Sequence, residues 1–575
     1  MSDRPDLAQL HAELRQGRAT AVLSAVEALE SDGPLSDEAL RLKIAALEAL
    51  GYDGEALEAA LSLRDDRLQI IQRLLARMQD VVVTDELEAV LCDLLQTEEF
   101  FHPNVYEVLV DRLAEKLRAQ GLSALHRLAA DRYLCLALAK LDLWWPDIER
   151  ALTALRSRIL EDCASAGETT ASAIALIHGM AVQCHRTEYA WYVSANEAAW
   201  LDRVEQQCRG QPAPPDHEAK WPLLLMYRSP TDLHKAGLVG GNPVDGQDGA
   251  LARFISATLD EDAREARLAE DFASQALRGD ETSMRVAGMY EENPYPRWTS
   301  GLPILNPGGR PLEEFMQLVE SPAWQRQPTR RVQSILVAGC GTGLQPLSLA
   351  LALPAARVLA IDITCRSLAY ARMMAERYRV ANVEFKRRDI LELPSSNEQF
   401  DMVDCVGVIH HMRDPAAGLR ALLTCLRPGG LLRLGVYSRS GRDAVVRFRA
   451  RQAQSRPQPA TLRAIRHGIL EAGEQGSYAD LLRFRDFYSL SGFRDLLLHE
   501  QECQFTIPEL RALLAAHGLT FLRLALQAGM MESLHDRAGP GTSPFDLESW
   551  HQAELRVPSL FAGMYIVFAR FDGEV

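Results

Sequence analysis

Cysteine is sparse and never paired: ten residues, at positions 92, 135, 163, 184, 208, 340, 365, 405, 425 and 503 of 575, form no C-x-x-C couple. That spacing argues against a disulfide framework and against a thiolate zinc site, and it suits buried thiols in a reducing compartment. No uninterrupted apolar stretch reaches the roughly 18 residues that a membrane span needs. The start, Met1-Ser2-Asp3-Arg4-Pro5-Asp6, lacks the basic start and apolar core of a secretion signal. Positive charge is short as well, with 62 Lys and Arg against 78 Asp and Glu, a net charge of -16. Phosphate recognition draws most of its affinity from Lys and Arg, so no nucleic-acid partner is expected. The expectation is a cytoplasmic protein with no metal and no membrane insertion.

The chain is too long for one core, and about 150 residues per domain suggests two to four units. Residues 6–207 carry helical periodicity and few strand signals. Thr84-Asp85-Glu86 is placed to cap a helix whose Leu87, Val90, Leu91, Leu94 and Leu95 share a face. Similar patterns at 40–50, 105–117, 122–138 and 148–160 predict antiparallel helix pairs. The stretch 45–57 is similar to a tetratricopeptide hairpin in its small residues and its turn. No register repeats about every 34 residues, however, as such arrays require, so a non-repeating bundle is favoured. An all-helical domain over 1–208 is therefore expected, serving docking or dimerisation. Helix breakers at 209–216 and 237–249 open a bridging segment, 209–330.

The bridge ends in Met289-Tyr290-Glu291-Glu292-Asn293-Pro294-Tyr295-Pro296-Arg297-Trp298, where prolines stiffen an extended path and aromatic rings offer broad apolar faces. Standing just before a glycine-rich loop, it reads as a lid, or else as a rigid connector packed on the core. The loop follows the apolar run Ser334-Ile335-Leu336-Val337-Ala338 and reads Gly339-Cys340-Gly341-Thr342-Gly343. A buried strand that ends in glycines lets a turn pass close to a ligand before a helix begins. The next strand, 357–361, ends at Asp362, where a doubly wound fold places an acid against ribose hydroxyls. A nicotinamide site would need G-x-G-x-x-G, and position 344 is Leu. Asp389 follows a third strand, Phe400 to Val406 reads as a fourth with His410 and His411 at its end, and Arg427-Pro428-Gly429-Gly430 leads into a fifth. Strand and helix alternate throughout, which argues a parallel sheet.

In order and spacing these motifs, over about 331–438, resemble the class I S-adenosylmethionine-dependent methyltransferases. The resemblance implies an α/β, Rossmann-like seven-stranded methyltransferase domain behind the all-helical domain, with a helical insertion after the fifth strand. It implies S-adenosyl-L-methionine as cofactor. Gly339, Cys340, Gly341, Thr342 and Gly343 would hold its methionine part, Asp362 with Ile363 its ribose, Asp389 with Ile390 its adenine, and Tyr295 would cover it. Many members carry an acid two residues before the first glycine. Here that residue is Val337, so the cofactor's amino group needs another acceptor. The lid phrase, with 494–502 and 558–565, looks like a bacterial subgroup with helical N-terminal extensions and is similar to the rickettsial protein lysine methyltransferases.

The insertion, 439–503, carries Arg439, Arg442, Arg447, Arg449, Arg451, Arg456, Arg463 and Arg466, and between Arg439 and Arg466 Asp443 is the only acid. It reads either as a solvated helix face or as a surface gripping an acidic acceptor through Arg447, Arg449 and Arg451. The segment 504–575 completes the sheet with strands at 519–526 and 564–571, joined by a long loop through Gly539-Pro540-Gly541. Candidates beside the methyl group are His410 and His411, only one of which faces an acceptor if strand alternation holds, then Tyr290, with Tyr295, Glu502 and Tyr565 behind them. The reading is direct methyl transfer to a nucleophile, a protein side-chain amine before a small metabolite, with a non-catalytic cofactor-binding scaffold as the rival. The expected partners are a protein acceptor and a second copy of the chain, meeting through the helical domain or the insertion.

Overall fold

A computed structural model describes residues 6–97, 103–120, 125–165, 173–209, 220–238, 249–298, 321–322, 332–451, 459–499, 501–525, 543–561 and 563–573. The expected breakers at 210–216 and the glycines at 539 and 541 lie outside them.

Seven strands among the described residues make one sheet in the order β3-β2-β1-β4-β5-β7-β6. They are β1 (Ser334–Ala338), β2 (Arg357–Asp362), β3 (Val383–Arg387), β4 (Phe400–Val406), β5 (Leu426–Tyr437), β6 (Leu519–Leu524) and β7 (Met564–Phe571). The first five are parallel, and β7 runs antiparallel between β5 and β6. Strand alternation sorts β1 onto both faces. Leu336 and Ala338 join one apolar cluster with Leu359, Leu432 and Trp550, while Ile335 and Val337 join another with Val358, Leu368 and Phe568. A sheet covered on both faces explains the near-continuous apolar runs of its strands.

The N-terminal half is a helical bundle with capped entries: Ser36 accepts from Ala39 N, Thr84 from Leu87 N, and Ser194 forms a reciprocal box with Glu197. The single helix expected over 122–138 is two, Leu125–Ala130 and Arg132–Lys140. Asp131 caps the second by accepting from Leu134 N, and its carboxylate competes with helix continuation. The bundle's core does not stop near residue 208. It continues through Leu223, Leu224, Leu225, Met226, Leu233, Leu251 and Ile255, so the first part of the expected bridge packs as bundle. A buried knot fixes it there, with Arg156 pairing with Glu197 at 3.1 Å, Tyr227 donating to Glu197 at 2.8 Å, and the Arg156 guanidinium 4.3 Å over the Tyr227 ring.

The insertion leaves the sheet at Ser438 and returns at Phe505, where the two backbones meet in a bridge. It has its own core of Phe448, Leu462, Phe487, Phe493 and Leu496. Its arginines from Arg439 to Arg466 divide: Arg439, Arg447 and Arg451 are solvated, the other described ones are not, and Arg456 lies outside the described residues. Arg442 and Arg466 are buried, Arg449 donates to the Leu496 and Leu497 carbonyls, and Arg463 donates to Tyr189 O. Arg466 makes a buried, two-point pair with Glu149 of the bundle and also donates to Ala190 O and Phe487 O. Of the trio expected to grip an acceptor, only Arg447 and Arg451 keep exposed heads, because Arg449 pairs with the buried Glu502. The segment is therefore a bracket between bundle and sheet. Ser491 bonding to Glu188 and Leu490 N donating to Thr187 O strengthen it.

Candidate active site

A cavity of about 360 Å³ opens beyond the carboxyl ends of β1, β2 and β4, where open α/β sheets receive ligands. Its floor is the glycine loop. Gly339 has φ +72, and a Cβ there would meet Val408 at 2.4 Å; Gly341 has φ +50 and faces Tyr295 O at 3.0 Å. Both positions thus require glycine for backbone reasons as well as for space. Thr342 and Gly343 do not line the cavity. The Thr342 hydroxyl donates to Pro296 O, and Gly343, the cap of the helix Leu344–Ala352, packs on Ala371 inside the helix Cys365–Arg377, so these two hold the loop's surroundings. The Cys340 thiol lines the cavity, and burial pushes its pKa well above the ordinary thiol range.

Asp362 accepts three hydrogen bonds from the chain itself: Gly341 N at 2.8 Å, Thr364 N at 3.0 Å and Thr364 Oγ1 at 2.7 Å. A carboxylate offers about four lone pairs, so it keeps room for about one hydroxyl. Burial raises its pKa against the pull of those donors. Asp389 caps the turn that follows it through Leu391 N, while its Oδ2 is buried without a hydrogen-bond partner, Ser283 being the polar neighbour. A buried acceptor of this kind suits a donor such as an exocyclic amine. Ile363 and Ile390 supply apolar walls.

The lid residues reach across the cavity. Tyr290 O–H donates to Asp495 and Tyr295 O–H to Asp486, each at 2.6 Å. Behind them Trp298 Nε1 donates to Thr342 O at 3.1 Å, and the Tyr370 hydroxyl donates to Trp298 O. The segment is fastened at both ends and serves as a wall of the cavity.

His410 and His411 do not end β4. The strand stops at Val406, Gly407 takes φ +83, and the pair sits on a short 3₁₀ turn, Ile409–His411, so strand alternation does not govern them. His411 lines the cavity and His410 does not. His411 Nδ1 lies 2.7 Å from Gln501 O, which makes it the protonated nitrogen, and burial holds its pKa down at about 4. His499 stacks on it with ring centroids 3.5 Å apart. Tyr565 lies buried against Glu554, at 2.6 Å, and Glu502 pairs with Arg442 at 2.6 Å; neither lines the cavity.

Residue-by-residue reading missed Asp486, Asp495, Tyr437 and Arg442 as cavity walls. Asp495 and Asp486 carried a usable signal, each an acid inside an apolar, aromatic run. Asp495 is fully enclosed, and burial, helped by the nearby Asp486 and Glu502 charges, raises its pKa to about 7 against the Tyr290 hydrogen bond and Arg442. Asp486 is raised by burial too. Arg442 is committed to Glu502, at 2.6 and 3.1 Å, and to Leu496 O, and its guanidinium stacks 4.0 Å from the Tyr437 ring centroid.

Residues 333–462 match the model of a family described as a methyltransferase domain. Together with the sheet order, this makes that part of the chain a class I S-adenosylmethionine-dependent methyltransferase domain. An uncharacterized protein of Synechococcus sp. is 32% identical over 34% of this chain and 49% of its own length. A ubiquinone biosynthesis O-methyltransferase of Acinetobacter baylyi is 36% identical over 17% of this chain and 41% of its own. Among solved structures, PKMT2 from Rickettsia typhi, in complex with AdoHcy, is 18% identical with a TM-score of 0.35, covering 49% of this chain and 55% of that one. The chain spans about half or less of the curated relatives it matches.

Proposed function

We propose that the protein transfers a methyl group from S-adenosylmethionine to a side-chain amine of another protein. The observation that carries this reading is the cavity itself: a glycine loop with two acids of the β2 and β3 ends on one side and two tyrosine-bonded aspartates on the other, lining one space. Gly339 and Gly341 with the neighbouring Tyr295 wall would hold the methionine part, Asp362 a ribose hydroxyl, and Asp389 with Ile390 the adenine. When bound, the cofactor supplies an electrophilic methyl on a sulfonium whose leaving group departs neutral. The protein's own task is therefore alignment and exclusion of water. Orientation of this kind supplies on the order of 7 to 11 kcal/mol of a barrier. Tyr290, Tyr295 and Tyr437 present aromatic faces that suit a cation.

A lysine with pKa near 10.4 is protonated at pH 7, and freeing its lone pair there costs about 4 to 5 kcal/mol. Carboxylates at the acceptor side address that cost, whereas a neutral metabolite acceptor has no need of two. The second reading, methylation of a small molecule, draws support from the names of the ubiquinone O-methyltransferase relatives. Incubating the full-length protein with methyl-labelled cofactor and a cell extract separates the two. Label in hydrolysed protein as methyl-lysine supports the first; label only in low-mass extractable material overturns it.

A further inference from the structure

The acceptor side of the cavity contains a feature that methyl transfer alone does not explain. Two buried aspartates from the insertion line the cavity, each with its Oδ1 occupied by a tyrosine hydroxyl that approaches from the lid. The cation that acts on both, Arg442, is bound up with Glu502 and the Leu496 carbonyl, and Arg485, which also acts on Asp486, pairs with Asp142. An enclosed pair of acids without a dedicated counter-ion is expensive to keep unless a cation arrives. We propose that Asp486 and Asp495 form a cation-recognition site for the acceptor ammonium, with Asp495 the group that takes its proton. This rests on the amine-methyltransferase reading given above.

Position distinguishes this site from the cofactor's. Asp362 and Asp389 stand at the ends of β2 and β3, on one side of the glycine loop in the sheet order. Asp486 and Asp495 belong to the insertion that grows out of β5, on the other side, and share their surroundings with Tyr437 at that strand's end.

The alternative base is His411, and it is the poorer one. Its Nδ1 proton is committed to Gln501 O, and burial keeps the ring neutral down to about pH 4, so it holds a captured proton weakly. Asp495 sits near neutrality, where a base both accepts and releases a proton readily. Its titratable and charged surroundings are Tyr290 from the lid helix, Tyr295 from the lid segment after it, Tyr437 from β5, Arg442 from the start of the insertion, Asp486 from the preceding turn, and Glu502 from the segment that returns to the sheet. In the proton step an N–H bond of the ammonium breaks and an O–H bond forms on the Asp495 carboxylate. The electron pair stays on nitrogen as the lone pair that attacks. The proton later leaves to solvent, so one proton is released per methyl transferred.

The test has a binding arm without cofactor and a turnover arm. In calorimetry with the cofactor-free full-length protein, Nα-acetyl-lysine methylamide should bind at least tenfold more tightly than the isosteric Nα-acetyl-norleucine methylamide. Asp495→Asn and Asp486→Asn should each erase that preference while leaving S-adenosylhomocysteine affinity within twofold. In turnover on the labelled extract proteins, the wild type should gain rate with pH along a limb near 7, and Asp495→Asn should lose at least 100-fold and the limb with it. Carboxyl stretching bands in infrared spectra of wild type against Asp495→Asn report the same titration without turnover, whatever the variant's activity. No preference for the lysine probe overturns the recognition site. An equal loss of S-adenosylhomocysteine affinity in the variants assigns the acids to the cofactor's own ammonium and overturns the proposal. If the wild type labels lysine and Asp495→Asn does so with an unchanged pH profile, the proton role fails while the enzyme reading stands. If the wild type labels no amine, the enzyme reading itself fails.

Discussion

Arg466→Met is the perturbation that most directly probes how the three parts of the molecule depend on one another. Arg466 and Glu149 are 1% and 5% exposed, and their contact is two-pointed. Replacing the arginine leaves a buried carboxylate without its partner, which costs about 3 to 5 kcal/mol. The Ala190 and Phe487 carbonyls also lose a charged donor, but these losses share one side chain and do not add in full. The double replacement, Arg466→Met with Glu149→Leu, removes both charges and should recover most of the loss, since an apolar pair of similar volume is often as stable as a buried ion pair. The measurement is the thermal and urea unfolding of the single and double variants, completed as a cycle. A loss under about 1 kcal/mol in the single variant, or a double variant no better than the single, would refute the burial argument. The lesion should also reach the cavity, because Phe487 is the neighbour of Asp486. Methyl transfer should fall in Arg466→Met while S-adenosylhomocysteine affinity stays near wild type.

Gly341→Ala forces a side chain into φ +50 and against Tyr295 O at 3.0 Å, so cofactor affinity measured by calorimetry should drop at least tenfold with the fold retained. Asp362→Ala removes an acceptor of three loop hydrogen bonds, charge-assisted bonds commonly worth about 1.5 to 3 kcal/mol each, and cofactor binding should weaken by at least 100-fold; wild-type affinity in a folded variant would sink the ribose assignment. For Asp495 the folded pKa of about 7 lies above the unfolded 3.8, so the native state binds more protons between these values and stability falls as pH rises through that window. Three units correspond to about 4 kcal/mol at most, hence Asp495→Asn should gain in melting temperature over wild type from pH 5 to pH 8, and a constant difference would contradict a buried, raised carboxyl.

The parts of the fold that local pattern determines were readable. Apolar runs ending in glycine or aspartate mark β1 and β2, and Asp414-Pro415 and Thr506-Ile507-Pro508 open helices with a polar cap and a proline in the first turn, a purely local signal. Asp362 was legible as a position but not as a bonding pattern, because the donors that occupy it come from Gly341 and Thr364 on separate turns. The histidines were misplaced for a backbone reason, since a positive-φ glycine at 407 ends strand geometry before them. The arginine run shows the limit most plainly. Exposed helix faces and buried brackets share the same periodic charge. What separates them is the partner, and Glu149 lies 317 residues from Arg466.

If Asp486 and Asp495 receive the acceptor as proposed, the same long-range pairing gives the helical half a task. Asp486 and Asp495 stand on an insertion whose own core is small, yet their side chains must be held against two lid tyrosines to hydrogen-bond tolerance. The insertion gains that rigidity from the bundle, through Arg466 to Glu149, Arg463 to Tyr189 O and Ser491 to Glu188. The lid gains it from the glycine loop, through Trp298 to Thr342 O. The two sides of the cavity are thus anchored to different elements, and the Tyr290–Asp495 and Tyr295–Asp486 hydrogen bonds join the lid to the insertion, beside the Arg494–Glu292 ion pair. On the proposed acceptor site, a disturbance of the bundle should therefore change acceptor turnover before it changes cofactor binding, because the helical half would act through the placement of two carboxylates.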